Sequence, residues 1–129
     1  MGRPVHFEIH ATDPQQSRDF YEQVFGWAFQ QWGDQPYWMV FTGEEDQPGI
    51  NGGMVPRQGG APASEAAVNA FVVTVDVEDL DRTMEAALKL GGEVRLPRMP
   101  VPGVGWLAYL ADPDGNLFGV MQPDESVTS

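Results

Sequence analysis

Apolar and polar residues alternate through Val5-His6-Phe7-Glu8-Ile9-His10-Ala11, the two-residue period of a strand with one buried face. Phe7 and Ile9 point to one side, and His6, Glu8 and His10 to the other. The period changes at Asp13-Pro14, a helix N-cap followed by proline at the first helical position. A helix carrying Phe20, Tyr21, Val24 and Phe25 then runs to a stop at Gly26. Three strand-like stretches follow at 27–32, 37–42 and 50–55, separated by Gly-Asp-Gln-Pro and by the acidic loop 43–49. The order to this point is β-α-β-β-β.

From Arg57 to Glu65 there is no apolar periodicity, and the order then restarts. A strand at 69–75 leads to a helix capped at Asp79 that carries Leu80, Met84, Ala87 and Leu88 and stops at Gly91-Gly92. Strands near 93–96, 105–111 and 117–122 complete the second set. Asp13 to Gly26 and Asp79 to Gly92 both span 13 residues, and the two aspartates stand 66 apart. The halves share a pattern rather than sequence identity, so the alternative to a duplicated unit is chance likeness of two capped helices. The pattern predicts a first module at 4–56, a linker at 57–68, a second module at 69–122 and an acidic tail at 123–129. The Pro-rich stretch 97–103 reads as a rigid connector or as a lid over a cleft.

Composition narrows the class. The 129 residues suffice for one domain, or for two half-size modules sharing a core, and 42% are hydrophobic, which fits a folded chain. The net charge of −12 opposes phosphate backbones and anionic lipid, so neither nucleic acid nor membrane is an expected partner. With no cysteine, thiolate nucleophiles and Cys-ligated metals are excluded, and any metal site must use His and carboxylate. The start of the chain lacks a basic segment followed by an apolar run, which makes the cytoplasm the expected compartment.

Four pieces, in order, carry a family likeness. They are His6 with its alternating strand to Asp13; Phe20-Tyr21-x-x-x-Phe25-Gly26-Trp27; Val75 through Asp79 to Leu90-Gly91-Gly92; and Asp112-Pro113-Asp114-Gly115-Asn116 before a last strand. With these the chain resembles the glyoxalase/bleomycin-resistance/extradiol-dioxygenase, or vicinal-oxygen-chelate, superfamily over residues 5 to 122. The resemblance implies an α+β fold of two tandem βαβββ modules forming a cup-shaped mixed sheet with helices outside, a small-molecule ligand in the cup, and a homodimer.

Metal-using members of that family hold a divalent ion with four side chains, one from each of four strands. Carried over by resemblance, the first position falls on His6, the third on Val72, the fourth on Gly119, and the second within Ile50–Met54, which has no carboxylate. His6 is the one matching ligand. Valine and glycine offer no side-chain donor, so no cofactor is expected from the inherited set. A local divalent site could draw on two neighbours among His6, Glu8 and His10. All three cannot share one ion, because i to i+4 on a strand spans about 13 Å.

The remaining chemistry is a His–carboxylate pair. If partly desolvated, Glu8 becomes a candidate general base, with His6 binding or protonating a substrate oxygen. The bland alternative is a wet polar strand face, with His10 partnering the Thr12-Asp13 turn. If Gly119 takes the inward position that the resemblance implies, alternation puts Leu117 and Met121, and likewise Val72 and Thr74, in the cup while Phe118 and Val120 pack under the helix, and Gly119 in place of a carboxylate enlarges the space. Trp27 is expected in the core, and Trp38 and Trp106 are candidate stacking walls, with core or dimer packing as the alternative. The expected function is binding of a small organic molecule without the family metal. The alternatives are a lyase, isomerase or dioxygenase-type enzyme using Glu8 and His6 or an unrecognised metal, and a non-catalytic partner domain.

Overall fold

Capping chemistry sets the helices and side-chain alternation sets the strands. The computed structural model describes residues 2–63 and 66–128; Ser64 and Glu65, in the predicted linker, lie outside the described residues. The elements run β1 (Arg3–Ala11), α1 (Pro14–Phe25), β2 (Ala28–Gln31), β3 (Trp38–Phe41), β4 (Gly52–Pro56), β5 (Val72–Asp76), α2 (Leu80–Lys89), β6 (Glu93–Val101), β7 (Gly105–Ala111) and β8 (Leu117–Pro123). This is the expected twofold β-α-β-β-β order in an α+β chain. The Asp13 carboxylate accepts the Gln16 N–H at 3.2 Å and Gly26, at φ 73°, ends α1. The Asp79 carboxylate accepts the Arg82 N–H at 3.1 Å, and α2 ends at the Leu90 cap before Gly91. Each side chain satisfies an N–H that the first turn leaves without a helical partner.

The chain divides into two compact units, His6–Phe71 and Val72–Ser129 with Met1–Val5. In the first, the strand order is β2-β3-β4-β1, with β1 parallel to β4 and the others antiparallel. Register aligns Phe29, Val40, Gly52 and Phe7 in one row and Gln31, Trp38, Met54 and Ile9 in another. Phe7, Ile9, Ala11, Phe29, Val40 and Met54 form the buried cluster on the α1 side, where Tyr21, Trp27 and Trp38 pack. Gly52 in the first row is required by space, since a Cβ there would strike the Phe7 carbonyl. Tyr21 stacks on Trp27 at 5.1 Å, while Phe20, Val24 and Phe25 stay more than half exposed, so α1 covers the core with only part of its apolar stripe.

In the second unit the order is β5-β8-β7-β6, with β5 parallel to β8. Leu80, Ala108, Leu110 and Val120 make its core under α2, with Val77, Met84, Ala87, Val94, Trp106 and Phe118 around them. The Gln122 side-chain oxygen accepts the Leu80 N–H at 2.9 Å, tying α2 to β8.

The boundaries depart from the expected ones in three places. Phe71 belongs with the first unit because its ring stacks on Phe7 at 5.3 Å and meets Tyr21 at 5.9 Å. The stretch expected to be an acidic tail is docked: Val127 is buried and its carbonyl accepts the Gly103 N–H at 2.9 Å, while the Asp124 N–H reaches the Val104 carbonyl at 2.8 Å. The Pro-rich stretch is neither lid nor connector. Pro97 and Pro100 lie within β6, which stands at the end of the strand order beside β7 and carries two register shifts. A strand end of the order tolerates residues without an N–H, and the bulges absorb the mismatch.

Leu80 is fully buried, whereas Leu90 is exposed. Leu80→Ala should lower unfolding free energy by about 3 kcal/mol in urea titrations, and Leu90→Ala by no more than about 0.5 kcal/mol; equal effects would contradict this core.

Candidate functional site

The face of the first unit turned away from α1 is set by the rows that alternate with its core. Glu8 pairs with Gly53 and Gly53 with Met39, so these positions share that face. By the same parity it holds His6, His10, Val55 and Phe41. Glu8 is 8% exposed, and its Oε1 lies 3.2 Å from His10 Nε2. That ring nitrogen is buried without a well-aligned hydrogen bond, so the contact is a close electrostatic one. Arg57 fixes the strand end below it, donating from Nη2 to the His10 carbonyl at 2.8 Å and from Nε to Thr12 Oγ1 at 3.1 Å. His6, Glu8 and His10 therefore do gather on one face, as alternation predicts.

The residue that completes this face is Tyr37, which sequence reasoning did not single out. The β2–β3 connection turns at Gly33, φ 58°, and the Trp32 N–H donates to the Tyr37 carbonyl at 2.9 Å. Trp32 meets the Tyr37 ring edge-on at 5.7 Å. The phenol extends across β4, so that a Cβ on Gly53 would collide with Tyr37 Oη, and it reaches His6 Nε2 at 3.4 Å. Burial, and then the charge of Glu8, push the phenol up to about 12. Tyr37 is thus a proton-bearing hydrogen-bond donor throughout the neutral range. The signal for it was the adjacent pair Tyr37-Trp38, whose rings must take opposite faces of one strand. Which face each takes is decided by pairing with β4.

In the second unit Thr74 pairs with Gly119 and Gly119 with Tyr109. Phe118 and Val120 pack under α2, so Leu117, Gly119, Met121, Val72 and Thr74 occupy the other face, as expected from alternation. Val72 and Thr74 are buried there, while Leu117 is exposed. The expectation that Gly119 opens space is corrected. A Cβ there would stand 2.9 Å from Thr74 Oγ1 and 3.1 Å from Tyr109 Cε1, so neighbouring side chains already occupy it.

The two tryptophans considered as stacking walls both lie on helix-facing sides. Trp38 shares the Met54 and Ile9 row of the first core. Trp106 packs with the second core, with the Arg98 guanidinium 4.3 Å above its ring and Arg98 bound to Asp81 at 2.7 Å. Trp27 is a core residue, as expected.

Gly53 and Gly119 are equivalent, each facing the first strand of its module across a parallel pair, at Glu8 and Thr74. In both units a tyrosine lies over the glycine. A divalent site built from protein needs three or four converging donors, and among the described residues no three His, Asp or Glu side chains converge. The residues present do not fit the metal set implied by the resemblance.

Residues 3–120 match the glyoxalase/bleomycin resistance protein/dioxygenase superfamily, and the chain belongs to it. Among curated proteins it is similar to CFP32 of Mycobacterium tuberculosis, 25% identical over 132 residues covering 98% of this chain and 48% of CFP32. It is also similar to the anthracycline biosynthesis protein DnrV of Streptomyces peucetius, 28% identical over 144 residues covering 92% of this chain and 46% of DnrV. The chain spans about half the length of the curated relatives it matches. An extradiol ring-cleaving dioxygenase from B. fuscum shares the fold at a TM-score of 0.63 and 20% identity, over 98% of this chain and 34% of that one. No helix among the described residues is long and apolar enough to cross a membrane.

The folded state holds the Tyr37 proton more tightly than an unfolded chain, where tyrosine titrates near 10. The stabilisation is whole below that value and is lost as pH rises from about 10 through about 12. Phenolate absorbance should show one of the three tyrosines, Tyr21, Tyr37 and Tyr109, ionising at about 12, and Tyr37→Phe should remove that phase. A late phase that survives the substitution would count against this placement.

Proposed function

We propose that this superfamily member binds a small organic molecule on the Glu8–Tyr37 face and does so without the family metal. The observation that carries the reading is the pair of glycines at the carboxylate-equivalent positions, each overlaid by a tyrosine. A carboxylate at 53 would need the volume that Tyr37 Oη takes, and one at 119 would press on Thr74 and Tyr109. The face instead offers a phenol, an imidazole and a carboxylate beside the apolar Met39 and Phe41. Such a mix of a few placed polar groups on an apolar floor is the usual make-up of a small-ligand site.

One observation favours catalysis as the second reading. Glu8 is nearly buried on the same face as Tyr37, whose phenol feels the Glu8 charge. A carboxylate beside a neutral donor is the arrangement that moves a proton from carbon: the base takes it while the donor stabilises the oxygen that gains charge. The alternative roles for Glu8 as base and His6 as oxygen partner belong to this reading.

Protein purified without added metal should contain well under one equivalent of Zn, Ni, Mn or Fe by elemental analysis. A metal-free ligand screen should raise Tm for at least one small-molecule class, through binding to the folded state alone. Stoichiometric metal, with melting shifts that depend on it, would overturn the metal-free reading. Glu8→Gln that binds ligand normally yet loses turnover at least a hundredfold would establish the catalytic reading.

A further inference from the structure

The Tyr37 phenol has a position that a core tyrosine does not need. Its ring is already held by the Trp32 edge and by the hairpin hydrogen bond at its carbonyl. Its hydroxyl nevertheless extends over Gly53, into the volume a side chain at that position would take, and stops 3.4 Å from His6 Nε2. The imidazole tautomer sets the direction of this contact: with the proton on Nε2, His6 donates to Tyr37 Oη and leaves the phenolic hydrogen for a further acceptor. A donor that itself accepts a hydrogen bond is a stronger donor.

The surroundings limit what that hydrogen can meet. Glu8 stands on the same face, cross-strand from Gly53, and a second full negative charge close to it in a poorly hydrated site is unfavourable. An uncharged acceptor is not so penalised. Met39 neighbours Gly53 in the same row, and Phe41, 40% exposed, lies two residues along the same strand face, so the phenol shares its face with apolar side chains.

We propose that Tyr37, oriented by His6, is the hydrogen-bond donor for the carbonyl oxygen of an uncharged ligand whose apolar body lies over Met39 and Phe41. The proposal rests on the metal-free binding reading and assigns its ligand class: carbonyl compounds in preference to carboxylates and phosphates. Gly53 is part of the device, because any side chain there would displace the phenol.

The test uses two probes of nearly equal shape, acetophenone and ethylbenzene, which differ in the carbonyl. Dissociation constants come from ligand-observed NMR titrations of the metal-free protein and of Tyr37→Phe, which keeps the ring and removes the hydroxyl. The wild type should bind acetophenone more tightly than ethylbenzene. Tyr37→Phe should weaken acetophenone about fivefold, the scale of one neutral hydrogen bond, and leave ethylbenzene unchanged. His6→Ala should give a smaller loss confined to acetophenone. Equal loss for both probes would make Tyr37 structural and overturn the proposal, as would no loss for either, or no preference by the wild type. Circular dichroism and Tm of Tyr37→Phe check that the fold is kept. Should the wild type bind both probes with no metal present and ignore the substitution, the donor role fails while metal-free binding stands. Binding that needs added metal fails the underlying reading instead.

Discussion

The parallel pairing of β1 with β4 is the constraint on which the candidate site depends. In that register Phe7 meets Gly52, Glu8 meets Gly53 and Ile9 meets Met54, so core and site residues alternate along the same two strands. A slip of one residue would drive Glu8 into the cluster of Phe29, Val40 and Met54 and expose Phe7 and Ile9. Burying that carboxylate among apolar side chains costs several kcal/mol. The core thereby specifies the site: the free energy that holds Ile9 inward also holds Glu8 and His10 on the opposite face.

Glycine gives this pairing its shape. Gly52 lets β4 approach the Phe7 carbonyl, and Gly53, facing the other way, admits the Tyr37 phenol. The second unit repeats the device with Gly119 under Thr74 and Tyr109. Two modules of one superfamily fold thus share a local arrangement in which a glycine, paired in parallel with the first strand of its module, lies beneath a tyrosine. The first unit keeps ionisable groups, His6, Glu8 and His10, beside its tyrosine. The second has Val72, Thr74 and Asp76 at the positions of His6, Glu8 and His10, so its face carries no imidazole at these positions.

Much of the fold was legible because its signals are local. Asp13-Pro14 and Asp79 announce helix starts through hydrogen bonds made within three residues, and Gly26 announces a stop through its own φ. Strand faces could be read in β1, where alternation is strict, and in β8 from the inward position that the resemblance gives Gly119. They could not be read in β3 and the residue before it, where Tyr37, Trp38, Met39, Val40 and Phe41 are all apolar or aromatic and no period shows. Trp38 and Trp106 illustrate the consequence. Each is large enough to serve as ligand wall or core, and only cross-strand register, Trp38 with Met54 and Trp106 with Gln122, places them on the helix side.

The sequence by itself determined the twofold β-α-β-β-β order, the helix caps, the gathering of His6, Glu8 and His10 on one strand face and the lack of a side-chain donor at Val72 and Gly119, because each depends on residues adjacent in the chain or on a residue type being present. Tertiary structure alone decided that Tyr37 joins that face, that Gly119 is filled rather than open, that residues 97–101 extend an edge strand and that Val127 is docked. Those outcomes depend on which backbone lies alongside which, over separations of 16 residues from Tyr37 to Gly53 and 24 from Gly103 to Val127. Contacts at such distances are chosen by the packing of the whole module, and the local pattern of side chains carries no record of them.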